Sequence, residues 1–559
     1  MGYLLYGVQN GIYCISNRVR KIKKSPDYVR FFLEGQYVDL KEPKQNFIKS
    51  KIKKPKKSIQ ELCAQLEQVG NDDKVEGILL VIRPNLNLTM AQIQQLRTFI
   101  HQAKMKGKKV VAYSYQYTTN TYYLASVADK ILLQPGGGID PLGLRTGTMF
   151  IKGALDWIGI EMQMYNVSPY KSAADAMTKT TMTEEVKKMN NWILDSLYEQ
   201  TLEAIAKGRG VTVEQAKKII DNSPYVDKKA VENQLVDKLL NEEDIFNYLK
   251  DLEGKKIIIK NFKEAQKSLI RPSIKRPKDY IALIRIEGNI IDGKSSTTPF
   301  DLPIPFLGGK RVGDITVVDQ IRKVQKDKRA KAAVIYIDSG GGSATSSEAM
   351  ASAISRLAKE KPVVAYMSSV AASGGYYVAT TADWIIAQPS TITGSIGVIY
   401  GKVVNKKMLE KMLLNYESVN RGENAEMLEG KNKLTENQEK KIKESLFRTY
   451  EVFLDRVIDG RSMLKEEVEK VAGGRVWTGK QAYEIGLVDD LGGIETALKK
   501  IYNLTSLDDK TPLKEIRVKP EQFIQPINSA AKLNTVLGDL NSLEGKNLYA
   551  APTMWIKKS

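Results

Sequence analysis

The sequence predicts an α/β protein in which one domain, built of βα units, occurs twice in tandem. Three observations carry that expectation. The chain has 559 residues, too many for one hydrophobic core. Its segments recur at a near-constant spacing. Short β-rich apolar runs such as IALIRI, AVIYI and PVVAY alternate with stretches of helical length such as SSEAMASAISRLAKE. That alternation argues for a largely parallel sheet, whose ligands bind where loops leave the C-terminal strand ends.

The repeat can be followed from end to end. RFFLEGQYVD (residues 30–39) matches LIRIEGNIID (283–292) at a spacing of 253. VEGILLVI (75–82) precedes KVVAY (109–113) as AAVIYID (332–338) precedes PVVAY (362–366). YYLASVADKILLQP (122–135) matches YYVATTADWIIAQP (376–389) at 254, and AVENQLVDKL (230–239) matches AYEIGLVDDL (482–491) at 252. The expected boundaries are an N-terminal amphipathic and basic segment over 1–28, a first copy over 29–276, and a second copy with a C-terminal extension over 277–559. The switch falls near the basic, proline-containing IRPSIKRPKD (270–279).

At the N-terminus, MGYLLYGVQNGIYCISNRVRKIKK sets Tyr3, Leu4, Leu5, Val8, Ile12 and Ile15 on one side of a helical wheel, followed by Arg18, Arg20, Lys21, Lys23 and Lys24. Two readings stand open: an interfacial anchor, or a helix packed on its own domain. A cleaved signal peptide is not expected, because the basic run follows the apolar part. No stretch of 18 uninterrupted apolar residues signals a spanning helix. The formal charge is +20, and 14 basic against 4 acidic residues fall in the first 60. In IKSKIKKPKKS (48–58) lysine dominates without interleaved aromatics and glycines, so nucleic acid is not an expected partner. Anionic lipid, at about 1 kcal/mol per basic residue near the surface, is the better match. Cys14 and Cys63 have no CxxC spacing and no histidine cluster, so neither a metal site nor a disulfide framework is expected.

In the second copy the loop after AVIYI reads DSGGGSATSSE (338–348). Successive glycines turn sharply and expose N–H groups, which suits an anion, including the oxyanion of a tetrahedral intermediate. The equivalent RPNLNLT (83–89) of the first copy has no glycine. The next loop places Ser373 between Ala372 and Gly374. Its plain role would be a helix N-cap. The first copy, however, has Thr119, Asn120 and Thr121 there, so packing has no absolute need for Ser-Gly-Gly. A nucleophilic serine needs a base, and His101, the only histidine, sits on an apparent surface helix of the first copy. The remaining common solution is a serine paired with a lysine kept neutral by desolvation.

DSGGGS, SSVAASGGYY and TGSIGV, with YKSA in the other half, together resemble the long-form signal peptide peptidase A family, also called protease IV, of the ClpP/crotonase-like superfamily. The resemblance spans nearly the whole chain, duplication included. It implies a tandem ClpP/crotonase-like fold and a serine endopeptidase without cofactor or metal. It places the nucleophile at Ser373, the base at Lys171, and a lysine-orienting serine at Ser395. Oxyanion donors fall at Gly341 and Gly342, joined by Gly374. Where the family's glycine loop has proline, this chain has Gly340, and the family's usual N-terminal span has no counterpart in a long apolar stretch.

Adding the repeat spacing to Lys171 reaches Ala425, where no lysine stands nearby. Each half therefore lacks what the other keeps, and one dyad shared between the halves is the economical expectation. The resemblance further implies peptide partners, among them signal peptide remnants, bound as an added strand with small or aliphatic residues beside the cut. It implies a homotetrameric bowl and association with a membrane, its side left open. A crotonase-like acyl-CoA enzyme or a non-catalytic scaffold are the alternatives. Neither explains why one serine and one lysine survive in opposite halves.

Overall fold

The computed structural model describes residues 15–20, 22–42, 56–140, 142–271, 279–301, 308–509, 511–517, 547–550 and 555–558. Most of the N-terminal amphipathic run, Cys14, most of the 48–58 lysine cluster and the 272–278 junction lie outside the described residues. The chain divides into two compact units: Met1–Arg145 with Leu197–Arg276 and Ile556–Ser559, and Thr146–Ser196 with Pro277–Trp555. The repeat and the packing thus divide the chain differently. Thr146–Ser196 belongs to the first copy by sequence and to the second unit by contact.

In the first unit the strands run in the order Ile259–Asn261, Tyr28–Leu33, Gly77–Ile82, Lys109–Tyr117, Lys130–Ile139, Lys238–Leu239, all parallel. Both faces are covered, as a parallel sheet requires. Ile78, Leu80 and Ile82 pack in one cluster, while Leu79 and Val81 pack in the cluster on the opposite face.

The second unit repeats that order with Leu513–Glu515, Tyr280–Glu287, Ala330–Ser339, Val363–Ala372, Trp384–Ala387 and Asp490–Leu491, again parallel. The far end of Val363–Ala372 leaves Trp384–Ala387 and pairs instead with Ile392–Gly394, which is antiparallel to Val476–Thr478. A second sheet in this unit orders Ser296–Asp301, Gly308–Gly313, Asn289–Ile291, Gly341–Ser343, Asn547–Ala550, Ile399–Val404 and Glu161–Asn166. Through that last strand the first copy's excursion is fixed to the second unit, antiparallel to Ile399–Val404 over six residue pairs.

The conserved sense of the repeat has a physical basis in matched braces. Tyr122 Oη donates to Leu235 O at 2.8 Å, and Tyr376 Oη to Leu487 O at 2.9 Å. Asp237 accepts from Ile131 N and Asp489 from Ile385 N, each at 2.7 Å. The same carboxylates hold Arg209 at 3.1 Å and Arg461 at 2.8 Å. The glycine before each arginine meets backbone: a Cβ on Gly208 would overlap Ser126 O, and one on Gly460 would overlap Thr380 O. These contacts account for the YY…LVD pattern on both sides of the duplication.

At the described N-terminal end, buried Arg20 donates to Leu269 O at 2.8 Å and to Gln266 O, fixing this end to its own unit. Cys63 is a buried free thiol. No helix among the described residues is long and apolar enough to cross a membrane.

Candidate active site

Ser373 follows the last residue of its strand directly, where Ala372 pairs with Gly394. Its N–H donates to Gly394 O at 2.8 Å, and its backbone turns to φ 55° before the helix Gly374–Ala379 begins. A serine at positive φ is strained by roughly 1–3 kcal/mol, so surrounding structure must hold it. The two glycines that follow are demanded by crowding. A Cβ on Gly374 would lie 2.6 Å from Ser347 Oγ and 3.1 Å from Gly341 Cα, and one on Gly375 would overlap Ser339 O. The first copy has given up this bend. Thr118 is an extended N-cap at φ −88°, closed by a capping box with Thr121, and Thr119 Oγ1 hydrogen-bonds Gly143 O at 3.1 Å.

The glycine loop packs directly behind the serine. Gly341 and Gly342 have φ of 101° and 151°, and a side chain on Gly342 would overlap Ile290 O. Gly342 N lies 3.3 Å from where a Gly374 Cβ would stand, so the two backbones converge beside Ser373. Gly341 N–H donates to Ser339 Oγ at 3.1 Å, and Ser339 Oγ to Gly288 O at 2.6 Å. Gly340 is absent from the positive-φ residues, so its backbone is of a kind that other residues adopt. Asp292 takes the hydroxyls of Ser343 and Ser346 at the start of the helix Ala344–Ala358. That helix end therefore already has its anion.

Lys171 arrives on a tight turn. Its N–H donates to Ser168 O at 3.0 Å, and Asn166 Nδ2 donates to its carbonyl at 3.2 Å. Ser168 Oγ in turn donates to Gly473 O. The Lys171 amine lies 2.7 Å from Ser373 Oγ, 2.7 Å from Ser395 O and 3.0 Å from Ser395 Oγ. Lys171, Ser373 and Ser395 all have 0% exposure. Burial pushes the amine well below the ordinary lysine value, and no ionised partner opposes it. Ser395 is itself at φ 51°, with its N–H donating to Arg475 O at 2.6 Å. All three residues lie within the second unit.

His101 is exposed on the helix Met90–Met105. No group of three or more histidines, cysteines or carboxylates suited to a metal occurs among the described residues.

The family profile of peptidase family S49 matches the chain twice, over residues 102–256 and 355–508. The chain belongs to peptidase family S49. Among similar proteins, the chloroplastic serine protease SPPA of Arabidopsis thaliana is 32% identical over 499 residues, covering 87% of this chain and 72% of its own. Protease 4 of Salmonella typhi is 30% identical over 464 residues, covering 80% and 72%. A ClpP1 mutant from Listeria monocytogenes aligns with 38% of this chain and 91% of its own at 13% identity, with a TM-score of 0.24. This S49 protein is a serine peptidase, and the tandem expected from the repeat is present as two S49 regions.

Sequence reasoning overlooked Gly473 and Gly474. Gly474 has φ 84°, and a Cβ there would lie 2.6 Å from the N, Cα and Cβ of Lys171. Its N–H donates to Ile396 O at 2.7 Å. The Gly-Gly dipeptide ahead of VWT was the available signal. Gly474→Ala is expected to displace Lys171 and lower peptidase kcat by about 100-fold, the scale of a 1 Å misplacement. Far-ultraviolet circular dichroism should stay unchanged, and wild-type kcat would show that the turn does not set the lysine.

Proposed function

We propose that this S49 peptidase cuts peptides with Ser373 as nucleophile, Lys171 as general base and Ser395 as the group that orients the lysine. The observation that carries the reading is the 2.7 Å approach of a fully buried, uncompensated lysine amine to a serine on a strained bend. A neutral amine has two N–H donors and one lone pair. The donors serve Ser395 O and Ser395 Oγ, which leaves the lone pair for the Ser373 hydroxyl proton.

As Ser373 Oγ adds to the scissile carbonyl, Lys171 takes its proton, and the N–H groups of Gly342 and Gly374 receive the developing oxyanion. Gly341, its own N–H engaged by Ser339, serves to shape the turn. Collapse breaks the C–N bond while Lys171 protonates the departing amine. Water, deprotonated by the same lysine, then releases the acyl group. Substrate enters as an added strand in the place beside Gly341–Ser343 that Asn547–Ala550 takes in this structure, and the small residues around Ser373 favour small side chains beside the cut.

Signal peptide remnants at a membrane surface are the proposed natural substrates, in line with the chain's likeness to protease 4 and SPPA. Support for the membrane surface comes from Ile15, Val19 and Ile22, exposed by 63, 47 and 88% at helical spacing beside the basic run. Exposed Trp157, Met412, Leu413 and Val419 in the second unit suit self-association of the proposed homotetramer, which light scattering would size.

Ser373→Ala is expected to lower hydrolysis of a fluorogenic peptide by roughly 10⁴-fold or more with an unchanged unfolding midpoint. Lys171→Arg should lose as much, because a guanidinium stays protonated at working pH. A crotonase-like enzyme would instead turn over an acyl-CoA thioester in both variants.

The pH profile follows from the direction of the lysine shift. Only the neutral amine accepts a proton, so kcat/KM should rise as pH climbs through the lowered Lys171 value and level off well below the range of an ordinary lysine. A profile that climbs only near ordinary lysine titration would remove Lys171 as the base.

Deleting residues 1–24 should weaken co-sedimentation with phosphatidylserine vesicles while leaving hydrolysis of a soluble peptide intact. Undiminished sedimentation would remove this segment from the membrane reading.

A further inference from the structure

Lys171 belongs to neither helix nor strand, so the reach of its amine to Ser373 is set by what the residues around it touch. Tyr170 precedes it directly. The Tyr170 ring meets the Arg475 guanidinium at 4.4 Å and the Trp192 ring at 5.9 Å. Trp192 in turn stacks on Trp477, with ring centroids 5.0 Å apart and planes inclined by 15°. Three rings thus lead from the lysine turn to the strand Val476–Thr478. Trp192 is also tied down by its polar groups. Its Nε1–H donates to Val476 O at 2.8 Å, and its carbonyl accepts from Gln481 Nε2 at 2.9 Å. Four residues further along the same helix, Ser196 Oγ lies 2.7 Å from Thr478 Oγ1.

The strand that receives this stack also fixes the two serines. Arg475, directly ahead of it, offers the carbonyl that takes the Ser395 N–H at 2.6 Å. Trp477 stands opposite Thr393 in the pairing with Ile392–Gly394, and a Cβ on Gly394 would lie 2.8 Å from Trp477 Cδ1. Gly394 O is the acceptor that holds the Ser373 N–H at 2.8 Å. The stack therefore joins the Lys171 turn to the backbone that sets Ser373 and Ser395. The glycine strand Gly341–Ser343 belongs to a different sheet.

We propose that Trp192 is a positioning residue: by holding Tyr170 against Trp477 it keeps the Lys171 amine aligned with Ser373 Oγ. The proposal rests on the Ser373–Lys171 reading. Trp192 acts through Tyr170 and takes no part in the bond changes. An amine displaced by about 1 Å costs on the order of 100-fold in rate. A loosened turn also admits water to the amine, and since burial alone keeps its proton affinity low, that affinity returns toward the ordinary lysine value. Substrate binding, served by the other sheet, is spared.

The test measures kcat, KM and the pH profile of kcat/KM on a fluorogenic peptide for the full-length wild type, Trp192→Phe, Trp192→Ala, Tyr170→Leu and the Tyr170→Leu/Trp192→Ala pair. Trp192→Ala and Tyr170→Leu should each lower kcat about 100-fold, leave KM unchanged and move the rising limb of the profile to higher pH. The pair should lose no more than either single change, because both break one stack. Trp192→Phe keeps a ring between Tyr170 and Trp477, so it should recover most of kcat with the limb at its wild-type pH. A tryptophan that only supports the fold would lower the unfolding midpoint and leave the rate per folded molecule and the limb in place. That result in Trp192→Ala overturns the proposal, and if this variant does not fold, the same result in Tyr170→Leu overturns it equally. So does a Trp192→Phe enzyme as slow as Trp192→Ala. Lys171→Arg, assayed alongside, separates the two readings: undiminished hydrolysis by that variant overturns the dyad itself, whereas its inactivity beside an unaltered Trp192→Ala removes the positioning role alone.

Discussion

One amine kept out of water governs the second unit. Lys171 meets hydroxyl and carbonyl oxygens only, all of them neutral, so nothing repays it for carrying charge. The folded protein therefore binds fewer protons here than the unfolded chain over the interval between the lowered and the ordinary lysine value. Across that interval this group makes the fold less stable as pH falls, at about 1.4 kcal/mol for each unit of displacement, and the penalty levels off below the lowered value. The cluster running from Ile284 and Ile286 through Ile335, Ile337, Met367 and Tyr376 to Ile396 and Val398 offsets that loss. The neutral amine is maintained at the expense of cohesion.

Backbone strain follows the same logic. Ser373 and Ser395 both hold positive φ, and each is tied by its N–H to a neighbouring carbonyl, Gly394 O and Arg475 O respectively. Gly394 ends the adjoining strand Ile392–Gly394 and Arg475 directly precedes the strand Val476–Thr478, so the sheet that splits at the end of Val363–Ala372 is what sustains the bend. In the first copy the capping box of Thr118 and Thr121 relaxes the same junction into an ordinary helix start. The first copy lacks both the serine and the strain, while the tyrosine, aspartate and arginine braces occur in both units.

Much of this could be read in the sequence because close backbone contacts write themselves as small residues. The glycines at 342, 374 and 375 are each fixed by an overlap that a Cβ would create, and Gly341 by its positive φ. The recurrence of one strand order in both units matches the repeat read in the sequence, although the order itself was not legible there. Lys171 was different. A lysine in a turn has no local signature, its burial is made by residues hundreds of positions away, and only the family resemblance singled it out. The transfer of Thr146–Ser196 to the other unit was hidden for the same reason: composition does not say which sheet a strand joins. Asn547–Ala550 is too short for a period to show.

The excursion of Thr146–Ser196 has a consequence for how the site is assembled. Both ends of this stretch are peptide-bonded to the first unit, while its Glu161–Asn166 strand is knitted into the second. The Lys171 amine is thus brought to Ser373 on a covalent leash and does not arrive as a diffusing partner. Its local concentration beside the serine is set by chain length and geometry, not by how much enzyme is present. Diluting the protein leaves that pairing untouched, whereas a site whose two functional groups came from separate molecules would empty as the solution thinned.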